Sequence, residues 1–138
     1  MTALLHLRIA GVLLLVLAAA HVFFPKRFHW KEELARLSAL NRQIFLVHCF
    51  FILLIVVMFA VISLVFGRLL IEPSPLARVV LAGMAIFWSL RLCFQLFVYD
   101  TRHWRGSAVN TAAHILFSML WAYLAGVYSI ILWQQVGR

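Results

Sequence analysis

The chain has little charge and very little acid. Of its 138 residues only 16 are Asp, Glu, Lys or Arg, and just four of those are acidic. A soluble domain carries about 25% charged residues; here the share is 12%, beside 66% hydrophobic residues. The mean hydropathy is +1.04. So few polar side chains cannot coat a water-facing globule, which excludes a soluble enzyme and a disordered chain and calls for lipid as solvent. Cysteine is scarce too. Cys49 and Cys93 both fall inside apolar runs, which excludes a disulfide framework and reads them as small buried apolar residues.

The net charge of +8 does not point to nucleic acid, because the basic residues flank apolar segments and do not gather on one face. They report topology instead. Four apolar runs are present, at about 4–24, 44–66, 76–98 and 108–133. At about 1.5 Å per residue each can cross roughly 30 Å of hydrocarbon. Unbroken runs of this length favour helices over barrel strands, since lipid leaves every backbone group to be paired within its own segment. The expected fold is all-α: one transmembrane domain over residues 1–138, a four-helix bundle. The first run has a competing reading as a signal peptide, with Ala18-Ala19-Ala20 as a cleavage site. The apolar run continues past it through Val22, Phe23 and Phe24, and a retained helix is expected.

Ser74-Pro75 reads as an N-cap followed by proline in the first turn. Gly67 is expected to end the second segment, Pro73 to keep the connection non-helical, and Gly106-Ser107 to break the chain before the fourth. Residues 28–43 place Trp30, Leu34, Leu37, Asn41 and Ile44 on one helical face, with Lys31, Glu32, Glu33 and Arg36 off it. This predicts a short amphipathic helix at the membrane interface, with Glu32 four residues before Arg36; a solvated connector is the alternative.

Lys26, Arg27, Lys31, Arg36, Arg42, Arg102 and Arg105 fall on one side of the expected membrane, seven in all, against Arg8, Arg68, Arg78 and Arg138 on the other. The richer side should be cytoplasmic. That predicts a multi-pass protein of the cell inner membrane with both termini outside. Trp30, Tyr99 and Trp104 on one boundary, and Tyr128 and Trp133 on the other, would form aromatic belts.

This topology gathers polar side chains into one layer near the basic face: His21 in the first span, His48 in the second, Arg91 and Gln95 in the third, and Asn110, Thr111 and His114 in the fourth. Ionisable groups inside lipid cost about 2.5–3.5 kcal/mol on insertion scales, so they turn inward and find partners. Arg91 is the sharpest signal. It shares a stripe with Trp88, Gln95 and Tyr99, with Met84 above, and its guanidinium offers five donors and no acceptor. Either it snorkels to the interface, or it holds an anionic or carbonyl-bearing group. In the second case Gln95, Tyr99, His48 and His114 would orient the ligand and Trp88 and Met84 would wall it. A lipid head group or a quinone fits those donors. Three imidazoles at similar depth, His21, His48 and His114, also leave haem or metal open, although no HExxH or Cys-x-x-Cys motif is present. Ser118, Ala122 and Gly126, spaced by four on the fourth span, permit close helix approach, either inside the bundle or against another membrane subunit. A non-catalytic subunit of a larger complex is therefore a further reading. No nucleophile–base pair or paired carboxylate is legible, and the enzyme question stays open.

The string Trp88-x2-Arg91-x3-Gln95-x3-Tyr99-Asp100, with Asn41-Arg42-Gln43 before the second span, resembles a pattern in small uncharacterised bacterial four-helix membrane proteins. Size and span count are similar to the DoxX-like group, although no DoxX motif is present. The resemblance implies a four-span topology and carries no activity or ligand.

Overall fold

The first long helix, α1, is Thr2–His21. It stops where Pro25 removes a backbone donor, and the His21 ring turns back so that Nδ1–H donates to the Leu17 carbonyl at 2.7 Å. The computed structural model describes residues 2–98 and 108–137. Over these the chain is helical and no strand occurs. The remaining helices are α2 (Phe24–Arg27), α3 (Trp30–Ala35), α4 (Ala39–Val65), α5 (Gly67–Ile71), α6 (Pro75–Phe97) and α7 (Ala108–Val136). Four of them, α1, α4, α6 and α7, are long and apolar enough to cross a membrane. Their bounds lie within a few residues of the four apolar runs, and α4 begins five residues earlier than expected.

The predicted amphipathic helix over 28–43 is not one helix. His29 takes a left-handed conformation, φ 48°, between α2 and α3. Ser38 then stops the segment and caps α4, its hydroxyl accepting from the Asn41 backbone at 3.3 Å. A serine offered to the third residue of a new helix outcompetes continuation of the old one. Arg36 pairs with Glu33 at 3.9 Å rather than with Glu32, and both side chains are exposed, so the pair adds little stability. The connection after α4 also differs from expectation. The helix ends at Val65 with Phe66 as its cap, and Gly67 opens α5 instead of a non-helical link. Ser74 caps α6 as the sequence predicts, accepting from the Ala77 backbone at 3.1 Å, with Pro75 in the first turn. Gly106-Ser107 lies outside the described residues.

The chain divides into two units: Leu7–Gly67, and Met1–His6 together with Arg68–Arg138. In the first, α1 buries Leu7, Ala10, Gly11, Leu14, Leu17 and Ala18, one helical stripe, while α4 buries Val56, Ala60 and Ser63 at matching spacing. The two helices touch at Gly11. A Cβ there would stand 2.5 Å from Leu64 Cγ and 3.1 Å from the Ala60 carbonyl oxygen, so only glycine admits this approach. Most of α4 remains uncovered: Phe50, Phe51, Ile52, Met58 and Val61 are exposed.

The second unit is built on α6 and α7, packed along one another. Ala77, Leu81, Met84, Ala85, Trp88 and Gln95 are buried on α6, and Trp121, Leu124, Ala125, Tyr128, Ile131 and Gln135 on α7. Contacts pair early α6 with late α7 and late α6 with early α7, an antiparallel hairpin. Near the start of α6, Arg78 donates to the Gln135 carbonyl at 3.0 Å. The Gln135 amide in turn donates to the Leu70 carbonyl. Tyr128 is fully buried and is a core residue rather than part of an aromatic belt; Trp133 is exposed.

Candidate functional site: a polar layer on the α6–α7 hairpin

The i, i+4 spacing of Arg91 and Gln95 sets both on one face of α6. Arg91 Nη1–H donates to Gln95 Oε1 at 3.2 Å, and Gln95 Nε2 lies 2.8 Å from His114 Nδ1 on α7. Because the amide oxygen already accepts from arginine, the amide nitrogen is the donor to the imidazole. His114 Nδ1 is therefore the acceptor, and the ring proton sits on Nε2. Three side chains from two helices thus form a directed chain of hydrogen bonds, Arg91 to Gln95 to His114. Gln95 is buried; Arg91 and His114 are half-buried. Ser118 donates to the His114 carbonyl at 2.8 Å, tying the next turn of α7 to the layer.

Aromatic rings cover the layer on the core side. The Arg91 guanidinium lies 4.9 Å from the Trp121 ring centroid, within cation–π range. Trp121 stacks on Trp88 at 5.1 Å with planes 10° apart, and on Phe117 at 5.7 Å. Phe87 meets Trp88 edge-on at 5.0 Å. Met84, buried one turn before Trp88, extends the apolar wall.

Of the residues singled out in the sequence, Arg91, Gln95, His114 and Trp88 come together, with Met84 on the same stripe. Tyr99 lies outside the described residues. His21 and His48 belong to the other unit, and each spends Nδ1–H on its own helix: His21 on Leu17, and His48 on the Ile44 carbonyl at 2.8 Å. His48 is exposed. Among the described residues no three His, Cys, Asp or Glu side chains gather as a metal site would require. Cys49 is half-buried and Cys93 exposed, and both are free thiols; neither is the fully buried residue expected.

The row Ser118, Ala122, Gly126 is not an internal packing seam. Ala122 is exposed, and a Cβ at Gly126 would meet nothing within 4 Å. The buried face of α7 lies instead along Trp121, Tyr128 and Gln135. Sequence reasoning missed Trp121 as a partner of Arg91, and missed a second polar pair. That pair is His6 on α1 with Tyr123 on α7, Nδ1 to hydroxyl 3.0 Å, rings 6.1 Å apart. Both sit in apolar segments, and their isolated polarity was the available signal.

No protein family model, curated protein or solved structure matches the chain.

Proposed function

We propose that the chain is a multi-pass integral membrane protein whose α6–α7 hairpin binds the anionic or carbonyl-bearing head of an amphiphile, a phospholipid or a quinone. The lipid setting is supported by α4 above all. Its most apolar stretch has a hydropathy of 3.1 with only 11% of its residues buried, an apolar surface that water would not tolerate. Over the whole chain, seven Lys and Arg fall on the expected side that holds the connection between α6 and α7, against four on the other, which supports placing that side in the cytoplasm, with both termini outside.

The observation that carries the binding reading is the Arg91–Gln95–His114 chain set beside stacked tryptophans. Arg91 stands six residues before the end of α6, about 9 Å from it along the axis. At that depth the guanidinium can reach the level of lipid head groups while Trp88 and Trp121 remain in hydrocarbon. Gln95 and His114 restrict where the guanidinium goes, so an incoming carbonyl or phosphate oxygen meets donors already oriented.

The test is lipid and quinone extraction from the purified chain. The wild type should retain a defined amphiphile, Arg91→Lys should retain it in part because a point charge replaces a planar fork, and Arg91→Ala should lose it. Equal retention by all three overturns the reading.

A further inference from the structure

Five of the chain's 12 Lys and Arg residues fall between positions 26 and 42, in and around the connection from α1 to α4: Lys26, Arg27, Lys31, Arg36 and Arg42. All five are exposed. Glu32 and Glu33 are the acids of this stretch, so its net charge is +3 with histidine neutral, and Glu33 engages Arg36 at 3.9 Å. Clusters of roughly four to eight Lys and Arg beside a span are drawn to anionic leaflets.

Ring contacts fix the level at which these cations stand. His21, the last residue of α1, meets Phe24 at 4.7 Å, and Phe24 meets Phe28 edge-on at 5.9 Å, which holds α2 at the end of α1. The chain then turns at His29, and α3 packs on α2. Trp30, the first residue of α3, meets Phe45 edge-on at 4.9 Å. Phe45 is about 9 Å along α4 from Ala39, so α3 lies beside the first two turns of α4. The cations are therefore kept where one span ends and the next begins, not on a lobe that projects into water.

Interleaved with them are Val22, Phe23, Phe28, Leu37 and Leu40, whose exposures run from 42% to 73%. Arg27 lies 5.7 Å from the Phe28 ring centroid, so a cation and an exposed ring are presented together. An acidic protein or a nucleic acid would answer the charge and have no use for the apolar side chains. A leaflet answers both: phosphates take the cations, and the glycerol and upper acyl carbons take the rings and aliphatic groups.

We propose that residues 22–42 form a docking surface for anionic phospholipid, gathering headgroups of the leaflet in which α1 and α4 end, by distributed charge and without a pocket. The inference rests on the bilayer reading of α1 and α4 and is independent of the ligand on the α6–α7 hairpin.

The test uses the full chain in nanodiscs of phosphatidylcholine alone or mixed with phosphatidylglycerol. Cys49→Ala and Cys93→Ala remove the native thiols, and a spin label is attached through Leu37→Cys or, separately, through Met58→Cys in the middle of α4. Collisions with lipid-soluble oxygen and with an uncharged, water-soluble nickel chelate report where each label sits. At position 37 the oxygen-to-nickel ratio should rise about fivefold or more in the anionic discs, the scale of one cation at an anionic surface. At about 1 M salt, where the screening length is about 3 Å, the rise should disappear. Lys26→Gln, Lys31→Gln and Arg42→Gln together bring the stretch to zero net charge at exposed positions, so the fold should persist and the rise should be lost. Arg8→Gln with Arg68→Gln, exposed at the far ends of α1 and α4, should leave the rise in place.

No rise at position 37, a rise that survives the triple substitution, or an equal loss in the Arg8→Gln, Arg68→Gln control overturns the proposal. So does a label that stays open to nickel in anionic discs and is shielded only by added polyglutamate, since the surface would then face an acidic protein. The label at position 58 should favour oxygen in every disc. If it does not, the bilayer reading falls and takes this inference with it; if it does while position 37 ignores phosphatidylglycerol, this inference alone falls.

Discussion

The guanidinium carbon of Arg91 lies 4.9 Å from the ring centroid of Trp121, and the same ring stacks on Trp88 at 5.1 Å. The cation, the two indoles and the hydrogen bond to Gln95 therefore share one local geometry. Replacing Trp121 by leucine removes a cation–π contact of about 0.5–2 kcal/mol and an aromatic pair of about 0.5–1.5 kcal/mol. Phenylalanine should recover part of both. Unfolding of the full chain in mixed detergent measures each variant. A double-mutant cycle with Arg91→Met should return a coupling of about 0.5–2 kcal/mol. A coupling indistinguishable from zero would show that the ring and the cation are neighbours without interacting.

The imidazoles should fall into two tautomer classes. His114 accepts at Nδ1 from Gln95, so its proton belongs on Nε2. His21 and His48 each donate from Nδ1 to a backbone carbonyl, so theirs belong on Nδ1. Nitrogen-15 chemical shifts of histidine-labelled chain, recorded where the rings are neutral, distinguish the two. Gln95→Leu should change the His114 signals and leave those of His21 and His48 in place. An Nδ1–H tautomer at His114 would break the directed chain on which the polar layer rests.

The long helices were legible because hydropathy and length alone specify a span, and the Ser74 cap because it depends on residues adjacent in sequence. Arg91 with Gln95 was legible for the same reason: i, i+4 spacing needs no tertiary information. His114 followed from depth, since α6 and α7 are consecutive and must pair antiparallel. Trp121 did not follow. Its place over Arg91 depends on the rotation of α7 about its axis, and α7 is apolar all round, so periodicity cannot orient it. The same ambiguity hid Tyr128 in the core and turned the Ser118–Ala122–Gly126 row away from it. Residues 28–43 misled for a local reason. Their stripe of apolar residues is real, but His29 and Ser38 interrupt the backbone that would carry it.

The caps themselves are testable. Ser74 Oγ accepts from the Ala77 backbone, and α6 begins the hairpin that carries the polar layer. Ser74→Ala should cost about 1 kcal/mol, and Ser74→Asp should restore it. Thermal unfolding in detergent reads the difference. If Ser74→Asp is no better than Ser74→Ala, the hydroxyl is not acting as a cap.

Glycine has opposite consequences at two places in the chain. At Gly11 an added Cβ would lie 2.5 Å from Leu64 Cγ and 3.1 Å from the Ala60 carbonyl oxygen, whereas at Gly83, inside α6, it would meet nothing within 4 Å. Leu64 Cγ is a branch point close to the backbone, so it cannot swing clear without a new rotamer, and the carbonyl oxygen belongs to α4 itself. Gly11→Ala should therefore force α1 and α4 apart and cost about 1–3 kcal/mol, the usual range for overpacking. Gly83→Ala should be neutral or stabilising by up to about 1 kcal/mol, because alanine is the better helix former. Leu64→Ala in the Gly11→Ala background should recover part of the loss by clearing the space in front of the new methyl. Measured together, the three variants separate close helix approach from helix propensity. An equal response at positions 11 and 83, with no rescue from position 64, would mean that α1 and α4 do not meet at Gly11.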